Sequence, residues 1–185
     1  MFKIKIDGIK YQIPNRAKEM TLGQFSKVSD IMATQQDPIG KMIDIINLFD
    51  KKAANYITVG QVKEYSKGLG LSTTRKTVVP EFTVSGRVYV YNKDPRAVSI
   101  RTIEKMILEG KDTALAMISV MYEDAQLTPN EHKDKAHIEH KMKLFADALN
   151  ADDCIPALVK IGEMLFKNVN QAHDSLSMAG APAAE

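Results

Sequence analysis

The strongest constraint on the fold is a tight-turn pattern at residues 2–13. Apolar and polar residues alternate on both sides of an Asp7-Gly8 pair, as they do in half-buried strands. Asp-Gly favours a two-residue hairpin turn because glycine adopts positive φ without steric cost. Pro14 ends the second strand, since proline has no N–H to offer to a ladder. We therefore predict a β-hairpin here.

Capping residues predict helices after this hairpin. Residues 21–24 read Thr-Leu-Gly-Gln, which is a capping box because a hydroxyl residue is followed three positions later by an amide. Pro38 suits the first turn of a second helix. Residues 58–61 read Thr-Val-Gly-Gln and repeat the capping box before a third helix. Gly68 and Gly70 are expected to terminate that helix.

The hairpin pattern occurs twice in the chain. Residues 84–89 read Val-Ser-Gly-Arg-Val-Tyr and align with Ile-Asp-Gly-Ile-Lys-Tyr at residues 6–11, a shift of 86 − 8 = 78. The same shift places Thr21 on Ser99, so Ser99 is predicted to cap the second unit's helix. A three-residue deletion between residues 25 and 41 would change the shift to 75 and align residues 41–46 with residues 116–121. We interpret the two segments as copies of one unit; the alternative is two similar units formed by common local rules.

The predicted fold class is α+β and predominantly helical, with two β-hairpin-plus-helix units followed by a C-terminal helical region. Residues 1–70 form the first unit, and residues 71–80, rich in Ser and Thr, form a linker. Residues 81–173 contain the second unit and the C-terminal helices, the last of which is predicted to open at Pro156. Residues 174–185 are predicted to be a mobile tail because Ser, Ala, Gly and Pro dominate them.

Composition narrows the class of protein. Hydrophobic residues make up 44% and charged residues 26% of the 185 residues, as in folded proteins rather than disordered ones. No apolar run approaches the roughly 18 residues that a membrane span needs, so no membrane association is expected. The single cysteine, Cys154, excludes an internal disulfide framework and fits a reducing compartment. We expect a cytoplasmic protein.

A basic section covers residues 51–93. It contains eight basic and two acidic residues, a net charge of +6, which leaves −4 for the rest of a chain whose net charge is +2. Such a section can face nucleic acid, and the candidate contacts are Lys67, Arg75, Lys76 and Arg87. The alternative is a solvated, Lys-rich surface. We favour the solvated surface because no aromatic residues that would stack on bases are interleaved with the charges.

A histidine cluster is the one candidate metal site. His137 and His140 are three residues apart, so on a helix their rings can share an ion, and Glu139 or His132 can add a ligand. The cluster lacks the His-Glu-Xaa-Xaa-His spacing of helical zinc sites. The alternative is a solvated helix surface, because many charged residues surround the cluster, Lys141 among them.

No catalytic signature is present. The Gly68–Lys76 stretch lacks the Gly-Lys-Ser/Thr of a phosphate loop, so we interpret it as linker. Two aspartates precede Cys154, and negative neighbours raise a thiol pKa rather than activate the sulfur. We expect no enzymatic activity, no catalytic residues and no cofactor. The ten methionines suit either adaptable partner binding or core packing.

Several segments resemble small proteins encoded in the structural modules of tailed bacteriophages. Residues 6–14 followed by Met-Thr-Leu-Gly-Gln-Phe at 20–25 are similar to the start of many of these proteins. The second half resembles them through the Gly-Xaa-Val-Tyr hairpin, through Ala-Met-Ile-Ser-Val-Met-Tyr at 116–122 and through the late helix at 158–166. The resemblance covers most of residues 2–166.

The resemblance implies a tail assembly chaperone or an accessory virion component, with no catalytic residues to carry over. The partners would be other phage structural proteins, and the location would be the host cytoplasm during assembly, with retention in the virion for a structural component. One alternative is a nucleic-acid-associated protein that uses the basic 51–93 section. Another is a small enzyme with a metal site at His137 and His140.

Overall fold

The computed structural model describes residues 1–73, 75–93, 97–128 and 135–164, with only the backbone for residues 97–100. The predicted mobile tail, residues 174–185, lies outside these ranges.

Two small antiparallel sheets alternate with helices along the chain. The elements are β1 (Phe2–Ile6), β2 (Ile9–Ile13), a short 3-10 helix (Ala17–Glu19), α1 (Leu22–Ala33), α2 (Pro38–Phe49), α3 (Lys51–Tyr56), α4 (Val59–Gly68), β3 (Glu81–Val84), β4 (Arg87–Tyr91), α5 (Ala97–Leu108), α6 (Thr113–Met121), β5 (Tyr122–Asp124), α7 (Lys135–Ala148) and α8 (151–164). The predicted α+β, predominantly helical fold with two hairpin-plus-helix units and a helical C-terminal region is confirmed.

Both predicted hairpin turns form with the expected backbone. Asp7 and Gly8 have φ values of 49° and 84°, and Ser85 and Gly86 have 51° and 78°. Positive φ at both central residues is the signature of a tight two-residue turn whose twist matches that of the strands. β1 pairs with β2, and β3 pairs with β4, directly on either side of these turns.

Both predicted capping boxes form. The Thr21 hydroxyl accepts a hydrogen bond from the Gln24 N–H, and the Gln24 side chain accepts one from the Thr21 N–H, which completes the capping box of α1. The same reciprocal pair opens α4, and Asp37 caps α2 with Pro38 as its first residue. Helix α3 was not predicted; Asp50 caps it by accepting from the Ala53 N–H at 2.9 Å.

The first helices of the two units have equal lengths, but the register between the units changes earlier than predicted. Helices α1 and α5 are each 12 residues long, and a shift of 75 places one on the other. Ser99 is therefore the third residue of α5, and the prediction that it caps this helix is wrong. Eight residues (14–21) separate β2 from α1, whereas five (92–96) separate β4 from α5. The three-residue deletion thus precedes the first helix of the second unit.

The second helix of each unit begins at an aspartate cap, but the two helices end differently. Asp37 and Asp112, also 75 apart, cap α2 and α6. Helix α2 continues to Phe49, whereas α6 ends at Met121 and the chain extends into β5. Strand β5 pairs with β4, so the second sheet has the order β3-β4-β5 where the first has only two strands.

Two apolar cores hold these elements, and two helices join the cores. The N-terminal core consists mainly of side chains from residues 4–65, and the C-terminal core mainly of side chains from residues 84–161. Leu22 of α1 belongs to the C-terminal core, while Ala151 and Ile155 of α8 belong to the N-terminal core. Helices α1 and α8 therefore contribute apolar surface to both.

Helix α8 begins earlier than its proline. The Asn150 side chain accepts a hydrogen bond of 2.9 Å from the Asp152 N–H and caps the helix. Asp152 and Asp153 in the first turn favour this start, because carboxylates are stabilised near a helix N-terminus. Pro156 is the sixth residue of α8, so the prediction that it opens the final helix is wrong.

Candidate interaction surface

Three of the four candidate nucleic-acid contacts are in ion pairs. Lys67 pairs with Glu64 at 2.7 Å, Arg75 with Asp153 at 2.5 Å, and Arg87 with Asp124 at 2.9 Å. The fourth, Lys76, is exposed. The paired residues lie on α4, on the connector between α4 and β3, and on β4. A carboxylate beside each cation offsets the positive potential that would attract phosphate.

The two candidate metal ligands lie on α7. His137 is half-buried and His140 is exposed. Glu139, a further candidate ligand, pairs with Lys111 at 3.2 Å, and His132 lies outside the described residues. Within the described ranges, no group of three or more His, Cys, Asp or Glu side chains is placed to hold a metal ion.

Lys141 is not part of a solvated helix surface. Its side chain is 1% exposed, and its Nζ donates a hydrogen bond of 2.9 Å to the carbonyl oxygen of Tyr122. Burial lowers the pKa of this ammonium to about 8, although the carboxylates of Glu123 and Asp124 act in the opposite direction. No sequence signal marked this lysine, because its hydrogen-bond partner, the Tyr122 carbonyl, lies 19 positions earlier in the chain.

Asp124 supplies the buried negative charge near Lys141. Burial by itself would raise the pKa of its carboxyl, but hydrogen bonds from the Gln126 N–H and the Arg87 guanidinium hold the pKa below its usual value. Arg87 is about half exposed. The Arg87–Asp124 ion pair links β4 to β5, and the hydrogen bond from Lys141 to the Tyr122 carbonyl links α7 to β5.

The Cys154 thiol has a raised pKa, as the two aspartates before it in the sequence predicted. Its side chain is fully buried, and burial together with the charge of Asp153 raises the pKa of the thiol to about 12. The thiolate, which is the nucleophilic form, is therefore scarce near neutral pH.

A groove of about 490 Å³ lies between the β3-β4 hairpin and α8, and we call it the β4-α8 groove. It is lined by Val78, Pro80, Tyr91, Lys93, Lys160 and Met164. The Tyr122 hydroxyl donates to the Val79 carbonyl at 2.7 Å, and the Tyr91 N–H donates to the Pro80 carbonyl at 2.8 Å. These bonds fix the wall formed by residues 78–80. The sequence did not predict this groove because the residues that line it are distant along the chain.

Apolar side chains are also exposed at the ends of α1 and α5. Leu108 is 88% exposed and its neighbour Ile107 is 37% exposed. Met32, which the shift of 75 places on Ile107, is 39% exposed. Both copies of the unit therefore present a large apolar side chain at the C-terminal end of their first helix. We call Met32, Ile107 and Leu108 the helix-end residues.

Comparisons with known proteins add no identification. No protein-family model, curated protein or solved structure matches the chain. None of the helices in the described ranges is long and apolar enough to cross a membrane.

Proposed function

We propose that this chain is a non-enzymatic bacteriophage structural or assembly protein, either a tail assembly chaperone or an accessory virion component. It would act through protein–protein contacts in the host cytoplasm during assembly, and a virion component would stay in the particle. The resemblance of most of residues 2–166 to proteins of phage structural modules supports the phage assignment. The repeated unit supports a role in contacts, because a duplicated hairpin and helix presents similar surfaces twice.

The observation that carries the proposal is the exposure of the helix-end residues. Burying a leucine side chain fully is worth roughly 1.5–3 kcal/mol relative to leaving it exposed, and Leu108 forgoes nearly all of that gain in the isolated chain. A single exposed apolar residue needs no explanation. Here, however, Ile107 and Leu108 are adjacent, and Met32 occupies the matching position in the other unit. A partner that covers these residues would recover the missing apolar burial.

The test is to locate the protein during phage assembly. Mass spectrometry would be applied to purified virions and to nuclease-treated complexes isolated from cells in which the encoding phage is assembling. A virion component is expected in both samples, and a chaperone only in the complexes, together with an identified tail protein. The proposal fails if the chain is absent from both samples, or if the association disappears on nuclease treatment, as it would for a nucleic-acid-associated protein.

Two variants test whether the helix-end residues contact the partner. Leu108→Asp places a charge where apolar contact is proposed, so recovery of the partner in the complexes should fall. Arg101→Asp introduces the same side chain at another exposed position of α5 and should leave recovery unchanged. Equal recovery of the partner with both variants would show that the helix-end residues do not make the contact.

A further inference from the structure

We infer that the β4-α8 groove binds an extended segment of a partner polypeptide that carries an apolar side chain beside an acidic residue. This inference rests on the proposed function and states the chemistry of one contact. It concerns a surface separate from the helix-end residues.

The floor and walls of the groove are apolar. Val78, Pro80, Tyr91 and Met164 surround its volume of about 490 Å³, which lies within the range of roughly 300–1,000 Å³ typical of ligand pockets. The Tyr91 ring packs on Tyr122 with 5.5 Å between ring centroids. One or two apolar side chains of a bound segment would fill this space and release water from it.

The groove is formed before any partner arrives. Hydrogen bonds to the carbonyls of Val79 and Pro80 fix the wall formed by residues 78–80. Its helical wall is tied to the chain before β3 by the Arg75–Asp153 ion pair. A site whose walls are already ordered loses less conformational entropy on binding.

The rim of the groove is basic. Lys93 is exposed, and no ion pair joins it to another residue of the described ranges. Lys160 lies 3.4 Å from Glu163, and both side chains are more than half exposed. Such an exposed pair is weak, so a carboxylate from a partner can compete with Glu163 for this ammonium. Two ammonium groups beside an apolar groove therefore select an acidic, apolar segment and disfavour a basic one.

The experiment is a selection from a random peptide library displayed on a carrier, with the full-length protein as bait. Peptides that bind are sequenced, synthesised and titrated against the wild-type protein, the Lys93→Glu/Lys160→Glu variant and the Lys52→Glu variant. Lys52 is exposed on α3 of the first unit, so its reversal changes the net charge away from the groove.

The expected result is enrichment of peptides with an acidic residue next to large apolar residues. Their affinity should fall by about tenfold or more in the groove variant, because two favourable charge contacts become repulsive, and stay unchanged in Lys52→Glu. The inference is overturned if no peptide is enriched, if the enriched peptides lack acidic residues, or if both variants bind alike. It is also overturned if a synthetic peptide of residues 165–185 displaces the selected peptides, because the occupant would then be this chain.

Different results would contradict the groove inference and the proposed phage function. If the wild-type protein is found in assembly complexes but selects no peptide, and the groove variant joins those complexes normally, only the groove inference is lost. If acidic, apolar peptides bind the groove but the chain is absent from virions and assembly complexes, only the phage function is lost.

Discussion

The hydroxyl of Thr73 donates a hydrogen bond of 3.1 Å to the main-chain carbonyl oxygen of Asp152. In a regular α-helix that carbonyl would accept from the N–H four residues later, but residue 156 is proline and has no N–H. The connector between α4 and β3 thus supplies a bond that α8 cannot make for itself. Pro156 is tolerated inside α8 because another segment donates the hydrogen bond that the proline nitrogen cannot donate.

A double-mutant cycle tests this relationship. Thr73→Val should lower the free energy of unfolding by about 1–3 kcal/mol, since it removes the donor of a partly buried hydrogen bond to the Asp152 carbonyl. In a Pro156→Ala background the same substitution should cost less, because the alanine restores a helical N–H to the Asp152 carbonyl. Urea unfolding of the four proteins measures the coupling.

Thr77→Val is the matched control for that cycle. Thr77 is exposed in the same connector, so its substitution should change stability by less than about 0.5 kcal/mol. Equal costs of Thr73→Val in the wild-type and Pro156→Ala backgrounds would show that the threonine does not replace the missing helical bond.

Lys141 should make stability rise at alkaline pH. Its pKa is about 8 in the folded protein, against an ordinary value of 10.5. Below pH 8 both states are protonated and the full cost of burying the ammonium is present. Between pH 8 and 10.5 the unfolded chain holds a proton that the folded protein has released, so stability increases with pH. The difference between the two pKa values corresponds to about 3 kcal/mol in total.

The effect is measured as the difference between wild type and Lys141→Met in urea unfolding from pH 7 to 10. Subtraction is needed because the raised pKa of Cys154 works in the opposite direction above pH 9. Lys143→Met, at an exposed position of the same helix, should follow the wild-type curve. Parallel curves for wild type and Lys141→Met would mean that Lys141 titrates normally.

Two buried serines should respond in opposite ways to alanine substitution. The Ser26 hydroxyl donates to the Asp112 carboxylate at 2.7 Å and links α1 to the cap of α6, whereas the Ser119 hydroxyl has no hydrogen-bond partner among the described residues. Ser26→Ala should cost about 1–3 kcal/mol, as expected for a hydrogen bond to a charged group. Ser119→Ala should stabilise by about 1 kcal/mol because an unpaired buried hydroxyl is removed.

Thermal and urea unfolding of both alanine variants decide between these outcomes. A loss of stability in Ser119→Ala comparable to that in Ser26→Ala would show that the Ser119 hydroxyl has a partner, such as a buried water molecule.

The turn glycines should be far less tolerant of a side chain than a helical glycine. Gly8 and Gly86 have φ of 84° and 78°, so alanine at either position is strained and should cost about 1 kcal/mol. Gly60 lies in the first turn of α4, where an added Cβ meets its nearest neighbour at 3.9 Å. Gly60→Ala should stabilise by up to about 1 kcal/mol through helix propensity. Urea unfolding of the three variants gives the comparison, and equal costs at Gly8 and Gly60 would contradict it.

The candidate site was less predictable from the sequence than the secondary structure was, because it depends on contacts between distant segments. The charges of Lys67, Arg75 and Arg87 were visible in the sequence, but the carboxylates that pair with Arg75 and Arg87 lie 78 and 37 positions further along the chain. Likewise, the β4-α8 groove joins residues 78–93 to residues 160–164. No spacing rule connects segments so far apart, so neither the pairing nor the groove was predictable.

What the sequence determined by itself was the local structure. The turns at Asp7-Gly8 and Ser85-Gly86 and the capping box at Thr21 depend on atoms no more than a few residues apart, so their patterns are complete within a short window. The tertiary structure alone decided that residues 122–124 leave α6 to extend a sheet, that Lys141 is buried, and that Pro156 lies inside a helix. In each of these cases the stabilising partner comes from a distant segment, and only the folded chain brings it into contact.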